Sequence, residues 1–135
     1  MYLIDTNALI ILLYGEVADG KLTKQGMDTM LSAEKLYVSI VSLWEIAIKV
    51  KINKLQIRST IAQIEESCLS QGIEILPLKV SHIEKTLKLP LLSDHKDPFD
   101  RLILATSIVE GMPLISTDSR MRRHEYEELN ARVIW

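Results

Sequence analysis

Residues 2–13 read Tyr2-Leu3-Ile4-Asp5-Thr6-Asn7-Ala8-Leu9-Ile10-Ile11-Leu12-Leu13. Three apolar residues precede three polar ones, each able to cap a helix, and six apolar residues follow. The first run suits a short buried strand, and Asp5-Thr6-Asn7 supplies the cap of a buried helix from Ala8. A strand feeding straight into a helix is the opening unit of an α/β fold. The alternation recurs downstream. Leu36–Ser39, Ile73–Leu76, 113–116 and 131–134 read as strands. Helices are predicted over 23–33, over 43–51 with Ser42 as cap, and over 59–70 closed by Gly72. Further helices are predicted over 81–89 ended by Pro90, over 97–110 opened by Asp97-Pro98 and closed by Gly111, and over 119–128.

Strands separated by helices imply right-handed crossovers and a parallel sheet. Their near-continuous apolar runs imply a sheet covered on both faces. The expected architecture is α/β: a three-layer α/β/α sandwich with a central parallel sheet of four to five strands. A chain of 135 residues fits a single domain, 1–135, with one proper core. The formal net charge of −2 argues against a protein that coats nucleic acid through a uniformly basic surface, though not against an enzyme with one local groove. The single cysteine, Cys68, cannot form an internal disulfide, which points to a reducing cytoplasm. Asp5 interrupts the N-terminal apolar run and no basic segment precedes it, so no secretory leader is expected. No apolar run approaches the roughly 20 residues that span a bilayer.

Ligands of open α/β sheets bind at the carboxyl ends of the strands. Asp5 follows the first strand and Asp118 follows Leu114-Ile115-Ser116-Thr117. Glu45 lies one turn into the helix after the second strand, and Asp100 in the first turn of the helix opened by Asp97. In a parallel topology all four acids share one rim. Packed without a counter-charge they would repel, and at least one would stay protonated. A hard divalent cation relieves this, and carboxylate and water ligands suit Mg²⁺ or Mn²⁺. His82, His95 and His124 are scattered and make no zinc cluster. Metal plus acids attracts a phosphate that the acids alone would repel, and can offset the charge of an in-line phosphodiester displacement.

Each acid also has a plainer reading. Asp5, Asp97 and Asp118 can be helix caps, and Asp100 can complement a helix dipole. Glu45 can pair with Lys49 four residues on, although a glutamate inside so apolar a helix asks for more than that. Lys49, Lys51 and Lys54, with Arg120, Arg122 and Arg123, could meet nucleic-acid phosphates or form solvated faces. His95, in the loop before Asp97, reads as incidental.

Four stretches carry a resemblance. They are Leu3-Ile4-Asp5-Thr6-Asn7-Ala8-Leu9, Val41-Ser42-Leu43-Trp44-Glu45-Ile46-Ala47-Ile48-Lys49, Asp97-Pro98-Phe99-Asp100-Arg101-Leu102-Ile103-Leu104-Ala105, and Ser116-Thr117-Asp118. In order and spacing the chain resembles the PIN-domain nucleases, specifically the VapC-type toxins of toxin–antitoxin pairs. The resemblance implies that Asp5, Glu45, Asp100 and Asp118 form the family's acidic quartet. Asp5 and Asp100 would be nearest the metal, and Glu45 and Asp118 would act directly or through water. Thr6, Asn7 and Thr117 would support the acids by hydrogen bonding. It implies a Mg²⁺-dependent endoribonuclease (Mn²⁺ being an alternative metal), a homodimer, and a small antitoxin that lies over the active site and binds operator DNA. Lys49 and Arg101 are placed as contacts to RNA phosphates. The alternatives are a housekeeping RNA-processing nuclease of the same family and a metal-dependent RNA- or protein-binding module that does not cut. A haloacid-dehalogenase-like phosphatase would need an aspartate where Asn7 stands. A receiver domain would need one where the third strand ends in Leu76-Pro77.

Overall fold

The computed structural model describes residues 1–15 and 21–134. β1 (Tyr2–Ile4) leads into α1 (Thr6–Tyr14), with Asp5 between them as N-cap. After α2 (Lys24–Ser32) come β2 (Leu36–Ser39), α3 (Ile40–Lys51), α4 (Ile61–Ser70) and β3 (Ile73–Leu76). The second half runs through α5 (Val80–Thr86), α6 (Pro98–Glu110), β4 (Leu114–Ile115), a 3₁₀ turn at Ser119–Arg122, α7 (His124–Glu127) and β5 (Val133–Ile134). The strands form one sheet in the order β3-β2-β1-β4-β5, and every pairing is parallel. The sheet is thus five-stranded, within the expected four to five.

The strand order explains the layers. The chain moves from β1 through β2 to β3 in one direction, crosses back to β4, and continues outward to β5. Right-handed crossovers put helices on one face during the first movement and on the other during the second. Two cores match this. Ile4, Val38 and Ile115 pack with Ala8, Leu9, Leu43, Ile46 and Ile64 of α1, α3 and α4. Leu3 and Leu114 pack with Ile103, Leu104, Met121 and Tyr126 on the opposite face. Neighbouring residues of β1 therefore serve opposite cores, as the period of two in a strand requires. Each buried Leu or Ile contributes roughly 1.5–3 kcal/mol.

Several boundaries differ from the sequence expectation. α3 starts directly after β2, capped by Ser39 and not by Ser42, and Ser42 is fully buried. Thr60, in a reciprocal capping box with Gln63, opens α4 in place of residue 59. α5 ends at Thr86, three residues short of 89, as the chain turns towards Pro90. The single helix expected over 119–128 is two short pieces, because Arg123 is extended (φ −69°, ψ 140°). Gly111 closes α6 in the left-handed conformation that a residue without Cβ adopts freely (φ 66°). Ile10 and Ile11 are buried within the monomer's own core. Among the described residues no helix is long and apolar enough to cross a membrane.

Candidate active site

The chain leaves β1 towards β2 and leaves β4 the opposite way towards β5, so the crevice between β1 and β4 opens at their carboxyl ends. Asp5 and the segment Ser116-Thr117-Asp118 stand there. A cleft of 180 Å³ at this point is lined by Asp5, Thr6, Asn7, Glu45, Lys49, Asp97, Asp100, Thr117, Asp118 and Arg120. All four acids expected on the rim are in it. A larger hollow of 850 Å³ lies at the other end of these strands, against Tyr2, Pro113 and Val133, and gathers no such set of acids.

Asp5 acts as cap and cleft residue at once. Its Oδ1 accepts from the Ala8 amide at 2.8 Å. Its Oδ2 accepts from the Ser116 hydroxyl at 2.6 Å and from the Thr117 amide at 3.2 Å. Ser116 Oγ in turn accepts from the Asp118 amide at 2.9 Å, tying the two acidic loops together. Thr117 thus supports Asp5 through its main chain, while the hydroxyl that does so belongs to Ser116, which the sequence reading did not single out.

Glu45 is buried on α3 and has both partners suggested for it. Thr6 donates its hydroxyl to Oε1, and Lys49 meets Oε2 at 2.9 Å. The Thr6 and Ser42 hydroxyls lie 3.0 Å apart, which accounts for the burial of Ser42. Asp100 rides on the first turn of α6, whose N-cap Asp97 accepts from the Phe99 and Asp100 amides. Asp118 caps the 3₁₀ turn and is gripped by Arg120, whose guanidinium reaches Oδ2 at 2.8 Å and whose amide reaches Oδ1 at 2.9 Å.

His95 is not incidental. It is fully buried, its Nδ1 lies 2.7 Å from the Tyr126 hydroxyl, and its Nε2 points at the acids. Nε2 is 3.5 Å from Asp100 Oδ2 and 4.0 Å from Asp118 Oδ2. The three side chains offer atoms within 4.8 Å of one another. The sequence signal was slight: a histidine two residues ahead of the Asp97-Pro98 helix start.

The expected phosphate contacts divide. Lys49 lines the cleft. Arg101 does not; it donates to the carbonyls of Pro90 (2.7 Å), Leu89 (3.2 Å) and Thr86 (3.3 Å), tying down the chain after α5. Three carbonyls thus occupy its guanidinium, which braces that turn. Arg120 and Arg123 also hold structure, binding the Asp94 carbonyl at 2.9 Å and the Asp94 carboxylate at 2.6 Å.

The electrostatics follow from burial. Burial pushes Asp5 up to about 6 from its ordinary 3.8, with nearby Asp100 adding to the rise and the bonds from Ser116, Ala8 and Thr117 opposing it. Burial also raises Asp100; His95 opposes this, while Asp97, Glu45 and Asp118 reinforce it. Asp118 is lowered, because Arg120 outweighs its burial. Burial pulls Lys49 down, but Glu45 more than restores it and leaves it raised. Five carboxylates thus face two cations in one small cleft. Crowded carboxylate oxygens, with the proton affinity of Asp5 and Asp100 raised, fit a hard divalent cation whose charge would offset theirs.

A model of the PIN domain matches residues 2–125 of the chain. No curated protein matches it in sequence. Among solved structures, a toxin–antitoxin complex from Klebsiella pneumoniae aligns at 18% identity over 92% of each chain, with a TM-score of 0.60. VapBC2 from Rickettsia felis, bound to a DNA fragment from its promoter, aligns at 15% identity over 98% of this chain and 96% of that one, at 0.64. VapBC-5 from Mycobacterium tuberculosis, a member of the VapBC family of toxin–antitoxin systems, aligns at 16% identity over 98% and 96%, at 0.55. At these identities the likeness is one of fold.

Proposed function

The chain belongs to the PIN-domain family, and on that premise we propose that it is a Mg²⁺-dependent endoribonuclease, the toxin of a toxin–antitoxin pair. The observation that carries this reading is the convergence of Asp5, Glu45, Asp100 and Asp118, from four different elements, on one cleft.

Asp5 and Asp100 would hold the cation, and Glu45 and Asp118 would support it directly or through water. Bound there, Mg²⁺ would supply charge against the phosphodiester and its in-line transition state. Asp5 is kept in place by Ser116, Thr117 and Ala8, and Glu45 by Thr6 and Lys49. Either Glu45 or Asp118 orients the attacking water and takes its proton. Attack by water with the 3′-oxygen as the leaving group, which takes up a proton from solvent, leaves a 5′-phosphate and a 3′-hydroxyl. Lys49 and Arg120 line the cleft where backbone phosphates would pass. Trp44, largely exposed beside Glu45, rests against Phe99 in an edge-to-face contact with ring centroids 5.3 Å apart. Such an aromatic surface beside the cleft suits an unpaired base better than a duplex.

The partner reading draws on the structural neighbours, which are toxin–antitoxin assemblies. A cognate antitoxin that covers the cleft, and a homodimer of this chain, belong to the same proposal. The test is cleavage of a labelled, structured RNA with Mg²⁺, with EDTA, and with Asp5→Asn. Cutting that needs both the metal and Asp5 supports the reading. Metal-dependent binding without cutting favours a binding module, and cutting without growth arrest on expression favours a housekeeping nuclease.

A further inference from the structure

His95 Nε2 is the buried side-chain polar atom that, among the described residues, has no hydrogen-bond partner. An orphaned buried polar atom is costly, so its persistence asks for a reason. The ring is held in place from several sides. Its Nδ1 is 2.7 Å from the Tyr126 hydroxyl, and the two rings make an edge-to-face contact with centroids 5.6 Å apart. The loop that carries it is fastened by Arg101 at Pro90 and by Arg120 and Arg123 at Asp94. That much bracing aims Nε2 at Asp100 and Asp118.

Two roles fit such an atom: a nitrogen ligand to a metal, or an N–H donor to a carboxylate. The tautomer separates them. Tyr126 is fully buried with its hydroxyl 2.7 Å from Nδ1, and the atoms that Nε2 faces are carboxylate oxygens of Asp100 and Asp118. An ionised carboxylate can only accept, so the ring gains by keeping its proton on Nε2, and the phenol turns its own proton to the bare Nδ1. A neutral ring accepting at Nδ1 carries its proton on Nε2. The atom facing the acids is then a donor, not a lone pair.

We propose that His95 is a positioning residue whose Nε2–H, set by Tyr126, steers the Asp100 carboxylate, holding Oδ2 and leaving Oδ1 free for the divalent cation. The inference rests on the metal-dependent reading of the cleft and extends it beyond the four acids. The 3.5 Å separation from Oδ2 leaves a small closing movement, of the kind that catalytic hydrogen bonds make when the site fills. Outer partners of this type are worth about 10- to 100-fold in metal affinity.

The first test needs no variant. A two-bond ¹H–¹⁵N spectrum of the labelled chain reads imidazole tautomers, and the His95 ring is assigned by its proximity to Tyr126. A proton on Nε2 with Nδ1 bare is the expected result; a proton on Nδ1 overturns the proposal. The second test is Mn²⁺ binding followed by electron paramagnetic resonance. His95→Leu should weaken binding about 10- to 100-fold. His95→Gln, which can place an amide N–H near the same point, should recover most of it. Nitrogen coupled directly to Mn²⁺ in the unsubstituted protein, or unchanged affinity in folded His95→Leu, sinks the idea. Should His95→Leu fail to fold, Tyr126→Phe decides: it leaves the ring in place without fixing its tautomer, and unchanged Mn²⁺ affinity there also overturns the proposal. Mn²⁺ binding that depends on Asp100 and His95 but never leads to RNA cleavage would defeat the nuclease reading and leave this one standing.

Discussion

The Ser116 hydroxyl donates to Asp5 Oδ2 across 2.6 Å, joining the carboxyl ends of β4 and β1 at the floor of the cleft. The same oxygen accepts from the Asp118 amide. One hydroxyl thus sets the spacing of two acids. Ser116→Ala should lower divalent-cation affinity about 10- to 100-fold, as loss of an outer partner does. Calorimetric titration with Mn²⁺ measures it. Affinity within threefold of the unsubstituted chain would show that Thr117 and Ala8 suffice to hold Asp5.

Stability without metal should fall as pH rises through the titration of Asp5. Unfolded, Asp5 titrates near 3.8; folded, burial above all lifts it to about 6. Between those values the folded chain holds a proton that the unfolded chain lacks. The contribution is fully present below about 3.8 and lost as pH passes about 6. It amounts to roughly 3 kcal/mol. Urea melts of the unsubstituted chain and of Asp5→Asn, compared at pH 4 and pH 7, read the difference. Adding cation should reverse the loss at pH 7, by about 2.7 kcal/mol at a hundredfold excess over Kd.

Arg120→Ala should move two affinities in opposite directions. Arg120 occupies Asp118 and lines the cleft, so its removal frees a carboxylate and removes a positive charge from beside the cation. Cation affinity should rise. RNA affinity should fall, with the salt dependence shallower by about one unit in the log–log slope. Both falling together would mark Arg120 chiefly as the clamp on Asp94.

Arg101→Lys should destabilise the fold by about 1–3 kcal/mol. A lysine keeps the charge but lacks the planar fork that reaches the carbonyls of Pro90, Leu89 and Thr86 together. A thermal melt checks this. If the melt is unchanged while RNA binding weakens, the expectation of a phosphate contact is restored.

The layered fold was legible because its signals are local. Pro77 stops β3, Asp97-Pro98 opens α6 and Gly111 closes it, each through the conformation its own backbone permits. Where two local signals compete, sequence cannot choose between them: Ser39 and Ser42 can each cap α3, and burial of Ser42 beside Thr6 settles it. The acids were legible too. In a parallel sheet, a polar residue that directly follows a strand falls on one rim whatever the side chains do. Asp5 and Asp118 needed no more than that.

The partners of those acids depend on contacts between distant parts of the chain. Ser116 meets Asp5 across 111 residues, and His95 meets Tyr126 across 31. Arg101, beside a candidate ligand in sequence, turns away to backbone carbonyls after α5, while His95 turns inward from a loop. Nothing in the spacing of residues says which way a long side chain will point, or what will meet it. Element order follows from short-range sterics and hydrophobic period. The bracing of a carboxylate follows from which donors the finished packing brings within 3 Å, and only the folded chain decides that.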